Sequence, residues 1–387
     1  MLLDGASGPI LPAAREVLLA ALDAGWADPR RLYAEGRQAR RLLDDAREAV
    51  ASGLGVRPPE LSFLPSGPVA LTAAVEGIRY ASRRRGMRTV AAAVEHSAVL
   101  VPGRAVAAAA DDATLLEEVP VEGDGRVRLD SWEEALAVPG TVVAALQSAN
   151  GEVGTRQPVE PAWEVCRARG IPLVVDAQAG LGRDPVPQAY DALVGDARSW
   201  GGPHGVGVLV VPERTRWRRP GAVSEAEFGR TDAEPVVPLA LAAAEAWLAT
   251  ATNRADESRL ARDLVDEVRS AASEVPDTVV VGDPVDRLPH VVTFSCLFVD
   301  GEALVHELDR RGFAVASGSA CTASTLEASH VLAAMGVLTH GNVRVTLPLA
   351  GCLPGGAAEV SAGVRAFCGV LADAVAAVRS QLGTDRL

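Results

Sequence analysis

The stretch IPLVVDAQAGLGRDPVPQAYDALVGDARSWGGPHGVGVLV, residues 171–210, decides how this chain is read. Leu173, Val174 and Val175 form an apolar, largely β-branched run that stops at Asp176. Open α/β sheets bind ligands beyond the carboxyl ends of such buried strands, so Asp176 is delivered to a ligand edge. A carboxylate there is a candidate partner for a positively charged ring nitrogen; the plainer alternative is an Asp that caps the next turn. A second strand is expected from Tyr190 to Ala197. It runs into Arg198-Ser199-Trp200-Gly201-Gly202-Pro203, and then Gly205-Val206-Gly207 forms a glycine turn into a third strand.

Outward from this stretch, strands are expected at Leu61–Leu64, Thr89–Val94 and Thr141–Leu146, with helices at about 13–24, 34–53 and up to Ser82. Alternation of strands and helices from Ser62 to Val211 predicts a mainly parallel sheet covered on both faces. From about Pro238 a long Ala- and Leu-rich helix leads to a second unit. Its expected pieces are strands at 279–281, 290–295 and 341–347, a helix at 301–311 and a final amphipathic helix at 355–382. The expected organisation is an amino-terminal arm (1–15), a large α/β domain (16–245) and a smaller carboxyl-terminal α+β domain (246–387).

At 387 residues, 48% hydrophobic with only 4% aromatic, the core must be filled by Ala, Val and Leu. The net charge of −13 argues against nucleic acid as a main partner, and Arg83-Arg84-Arg85 reads as a solvated helix end. The start of the chain lacks a basic region followed by an apolar run, and no window approaches 18 uninterrupted apolar residues. Neither export nor membrane insertion is indicated, and a cytoplasmic location is expected. Five cysteines without close pairs suit a reducing compartment better than a disulfide framework or a metal site.

Several motifs resemble those of the cysteine desulfurases, in the class V branch of the aminotransferase fold. The most specific is Ser317-Gly318-Ser319-Ala320-Cys321-Thr322, followed by Leu326-Glu327-Ala328-Ser329-His330-Val331-Leu332. Glu95-His96-Ser97-Ala98-Val99-Leu100, Ser66-Gly67 at a strand-to-helix turn, Asn150-Gly151-Glu152, and Asp176 with Gln178 are similar to further family blocks. The resemblance implies a fold type I transferase dependent on pyridoxal phosphate, with a large domain built on a mainly parallel seven-stranded sheet and a smaller carboxyl-terminal domain. It implies that Asp176 pairs with the cofactor's ring nitrogen and His96 stacks on the ring and moves protons. Ser66 and Gly67 would meet the phosphate, Gln178 the cofactor, and Asn150 and Arg344 the substrate. Arg344 suits that role because its fork makes two parallel bonds to a carboxylate. Cys321 would become a persulfide, and a thiol among small residues suits sulfur exchange.

The cofactor-fixing positions depart from the family pattern. Where the family has the lysine that holds the cofactor as a Schiff base, this chain has Ser199, and all 37 of its Lys-plus-Arg residues are Arg. Serine forms no imine, and guanidinium stays protonated. Val69, Ala70, Gly151 and Ala179 stand where the family has Thr, Glu, Asn and Gln, and Asp232 and Ala233 replace a Gly-Thr pair that reaches the phosphate across a dimer.

Three functional expectations follow. The first is a desulfurase-like protein that carries sulfur on Cys321 without ordinary Schiff-base catalysis, exchanging it with a donor or acceptor protein. The second is an active desulfurase that binds pyridoxal phosphate non-covalently. The third is a structural or regulatory partner of a lysine-bearing relative. A homodimer, or a heterodimer with a related desulfurase, is expected.

Overall fold

The computed structural model describes residues 1–5, 8–25, 27–221, 225–317 and 328–381. Strands β1 (Leu61–Leu64), β2 (Arg88–Ala92), β3 (Leu116–Val119), β4 (Thr141–Gln147), β5 (Leu173–Asp176), β6 (Ala192–Asp196) and β7 (Gly207–Val210) form one sheet in the order β1-β7-β6-β5-β4-β2-β3. The strands from β6 to β3 pair in parallel, whereas β7 is antiparallel to both β1 and β6. The reason lies in chain length: residues 197–206 are too few for a crossover helix, so the chain must turn back.

Burial on both faces explains the near-continuous apolar runs. Ala91, Val143, Val174, Val194 and Leu209 point to one face, where helix α3 (Gly67–Ser82) covers them with Ala70, Leu71, Ala74 and Ile78. Val90, Ala144, Leu173, Val175 and Leu193 point to the other, against Trp132, Cys166, Trp200 and Trp247. The surrounding helices are α1 (Pro12–Asp23), α2 (Ala34–Leu54), α4 (Ser97–Ala109), α5 (Leu129–Ala137) and α6 (Val159–Ala168).

Helix α7 (Val237–Glu274) joins the two units, and the expected boundary at 245/246 falls inside it. Its first half packs Ala243, Ala246 and Trp247 on the large core, and its second half packs Leu264, Val265 and Val268 on the small one. The small unit is an antiparallel sheet of β8 (Thr278–Val281), β9 (Val291–Cys296) and β10 (Asn342–Thr346), flanked by α8 (Gly301–Arg310) and α10 (Gly356–Gln381), whereas α9 (His330–Met335) packs Val331, Leu332 and Met335 on the large core. Residues 1–4 are part of this unit: Leu3 is fully buried there, donates its N–H to Ala314 O and accepts from Thr346 N–H, each at 2.8 Å. Among the described residues, α10 alone is long and apolar enough to cross a membrane, yet its stripe of Val360, Val364, Phe367, Leu371 and Val375 lies at helical spacing in the small core.

Candidate functional site

The strand order brings together residues far apart in sequence. Parallel β2, β4, β5 and β6 end at one edge of the sheet, and that edge carries Glu95 and His96, Gln147, Asp176 and Asp196. Asp176 is buried; its Oδ1 accepts the Gln178 N–H at 2.9 Å and its Oδ2 the Gln178 Nε2–H at 3.1 Å. His96 caps α4, its Nδ1 accepting the Ala98 N–H at 3.0 Å, which leaves the proton of a neutral ring on Nε2. Burial pushes the Asp176 carboxyl up, and the nearby His96 pulls it partly back. Glu95 is fully buried: Oε1 accepts the Gln147 N–H at 2.7 Å, Oε2 has no partner among the described residues, and burial drives its carboxyl up to about 8.

The opposite end of the site is built on the start of α3. A helix start offers unpaired amides and a partial positive charge, which makes it an anion site. Here every such donor is engaged. Gly67 N–H donates to Asp196 Oδ2 at 2.8 Å, Pro68 has no N–H, Val69 N–H reaches Ser66 Oγ at 3.4 Å, and Ala70 N–H reaches Ser66 O at 3.0 Å. Asp196 is only 4% exposed and also accepts from Arg198: N–H at 3.1 Å and Nε at 2.8 Å to Oδ1, Nη2 at 3.2 Å to Oδ2. The Gln178 side chain fills the remaining space, since a Cβ on Gly67 would lie 2.0 Å from its Oε1.

Ser199, at the lysine position, donates its hydroxyl to Asp196 O at 2.8 Å. Arg230 and Asp232, from the segment expected to reach across a dimer, are held within the chain. Arg230 Nη1 donates to Glu60 O at 3.0 Å and Ser62 Oγ at 2.9 Å, and Asp232 pairs with Arg219. Asn150 is committed to its own loop: Oδ1 accepts the N–H groups of Glu152 and Val153, and Nδ2 donates to Val94 O.

Cys321 lies outside the described residues, but both flanks of its segment are tied to the site. Ahead of it, Ala316 and Arg344 exchange backbone hydrogen bonds of 3.1 and 2.7 Å. Behind it, His330 Nε2 donates to Glu95 O at 2.9 Å, next to His96. The half-buried Arg344 makes no side-chain hydrogen bond or ion pair among the described residues, and its Nε is buried without a partner. The half-buried Glu152 carboxyl is pushed up by desolvation and pulled back by the nearby Ser329 hydroxyl and the Arg344 charge.

Asp196, Arg198, Glu95, Glu152 and His330 belong to the site, although no role was expected of them from the stretches of sequence in which they stand. Asp196 and Arg198 were visible in the turn beside Ser199; what the sequence lacked was their proximity to Gly67. A buried Asp176 with His96 close enough to act on its charge suits a pyridine ring. The start of α3 does not suit a phosphate, because its first amide already holds a carboxylate and the N–H groups of Val69 and Ala70 are bonded to Ser66.

The aminotransferase class-V family model matches residues 12–350. An IscS-like cysteine desulfurase of Mycobacterium tuberculosis is 33% identical, over 97% of this chain and 95% of its own length. A cysteine desulfurase of Cereibacter sphaeroides is 31% identical, over 89% of each chain. Among solved structures, a NifS-like protein superposes with a TM-score of 0.83 at 21% identity, over 96% of this chain and 100% of its own, which shows a shared fold.

Proposed function

The chain belongs to the class V aminotransferase family, in its cysteine desulfurase branch, and from that premise we propose that it carries sulfur as a persulfide on Cys321 without Schiff-base catalysis of its own. The family depends on pyridoxal phosphate. The observation that carries the reading is at Ser199: the lysine position holds a hydroxyl bonded to Asp196 O, in a chain with no lysine side chain anywhere.

The step assigned to Cys321 needs no cofactor. Its thiolate attacks the outer sulfur of a donor persulfide, the donor's S–S bond breaks, and the donor leaves as a thiolate while Cys321 keeps the sulfane sulfur. One S–S bond forms and one breaks, so no oxidant enters. The donor is a lysine-bearing desulfurase or a small persulfide.

The other four thiols support the reading, because exchange requires a thiolate. Burial pushes Cys166 up to about 12, Cys352 and Cys368 up to about 11, and Cys296 upward too. Arg344, which has no side-chain hydrogen bond or ion pair among the described residues, offers a cation to a carboxylate-bearing donor.

Incubation with glutathione persulfide, followed by alkylation and peptide mass spectrometry, tests the proposal. One added sulfur on the Cys321 peptide, lost in Cys321→Ser, is the expected result. Labelling spread equally over Cys166, Cys296, Cys352 and Cys368 would contradict it.

A further inference from the structure

The start of α3 is closed from within. Leu64, Gly207 and Asp196 lie in one row across β1, β7 and β6, because Leu64 pairs with Gly207 and Gly207 with Asp196. The two antiparallel pairings leave β1 and β6 running the same way, so the turn leaving β1 and the end of β6 share an edge. Only a glycine permits the turn to fold over β7: a Cβ on Gly207 would lie 2.2 Å from the Ser66 carbonyl and 2.7 Å from Gly67 N. The first amide of α3 is thereby brought onto the Asp196 carboxylate.

We propose that Asp196, clamped by Gly67 N–H and the Arg198 guanidinium, is a built-in anion that closes this helix start to phosphate monoesters and sets the site's selectivity against them. The carboxylate has the charge and acceptor geometry that a phosphate oxygen would bring, and it is tied to the chain, so a free ligand competes at a disadvantage. Arg198 neutralises the carboxylate, so it attracts no second anion. A phosphate entering here would have to displace Asp196 from both partners or sit beside it with like charge. Ser66 keeps its O–H as a donor while its oxygen accepts from Val69 N–H, but one neutral hydroxyl does not replace the engaged Gly67 amide, and neither the pyrrolidine of Pro68 nor the isopropyl group of Val69 brings a donor. The selectivity concerns Asp196 alone and holds whether or not Cys321 carries sulfur.

Pyridoxine and pyridoxine 5′-phosphate test this directly, since neither has an aldehyde that could react with the α-amino group of Met1, the one primary amine in the chain. Equilibrium dialysis of the intact protein should find no preference for the phosphate ester beyond about threefold, and inorganic phosphate should leave the melting temperature unchanged. Asp196→Ser, which frees the Gly67 amide and adds a hydroxyl, should prefer the phosphate ester by about tenfold or more and gain melting temperature with inorganic phosphate. A wild-type preference of tenfold for the ester would overturn the proposal, as would a folded Asp196→Ser protein that gains none. If that variant does not fold, the wild-type comparison decides alone.

Discussion

Gly67 and Asp196, 129 residues apart, are joined by a 2.8 Å hydrogen bond from the first amide of α3 to the carboxylate that ends β6. This contact fixes the geometry of the whole edge. It places the turn after β1 over Gly207, orients Arg198, and sets Ser199 with its hydroxyl turned back to the Asp196 carbonyl.

The close approach at Gly207 gives the first prediction. Gly207→Ala forces a methyl group into the Ser66 carbonyl, and the cost falls on backbone, which moves less readily than a side chain. A loss of about 1–3 kcal/mol in urea unfolding is expected. Gly170→Ala provides the contrast: there the added methyl meets no atom, and the cost is only that of a left-handed backbone. Equal losses at the two positions would contradict the packing argument.

A buried ion pair gives the second. Arg47 donates through Nη1 and Nη2 to Glu227 at 2.6 and 2.7 Å, and Glu227 also accepts the Phe63 N–H at 2.7 Å. The pair pins a loop in which Glu227 and Phe228 both have left-handed backbones. Glu227→Ala strands a buried cation and should cost about 3–5 kcal/mol, whereas Arg47→Met with Glu227→Leu should recover much of it. Chemical denaturation of the single and double variants checks both.

Arg344 behaves oppositely. Its Nε is buried with no partner among the described residues, so folding gains little from it. Arg344→Met should leave stability within about 1 kcal/mol of wild type, or raise it. A loss comparable to that of Glu227→Ala would mean that Arg344 is structural, and would remove its support for a carboxylate-bearing donor.

Glu95 predicts the pH dependence of stability. Burial raises its carboxyl from the usual 4.5 to about 8, so between those values the folded chain keeps a proton that the unfolded chain has lost. Stability is therefore fullest below about pH 4.5 as far as this group is concerned, and falls as pH rises towards 8, with a slope approaching about 1.4 kcal/mol per pH unit. Asp176, also raised by burial, adds in the same direction. Glu95→Gln cannot ionise and should gain on wild type steadily from pH 5 to 8 in thermal melts. A difference that does not vary with pH would refute the assignment.

Much of the fold was legible because burial on two faces writes itself as apolar runs: Leu173–Val175 ending at Asp176 and the fully buried Thr141–Gln147 are strands at the expected places. Asp176 and His96 lie at one sheet edge because the first ends a parallel strand and the second follows the end of another, a consequence of that topology. The antiparallel β7 was implicit in the short 197–206 connection. The contact of Asp196 with Gly67 was not legible, since it depends on β1 lying beyond β7, a long-range pairing that no local pattern specifies. Gln178 shows how one residue matters. Set one position ahead of Ala179, its side chain bonds Asp176 and packs over Gly67.

Sulfide release from free cysteine by the purified protein, with pyridoxal phosphate added and a thiol reductant present, separates carrying sulfur from generating it. No release above that of cofactor and reductant alone is expected, while the same preparation still takes one sulfur onto Cys321 from glutathione persulfide. Sulfide release that depends on Cys321 and is sustained over many turnovers would contradict it, for the chain would then be generating the sulfur it is proposed only to carry.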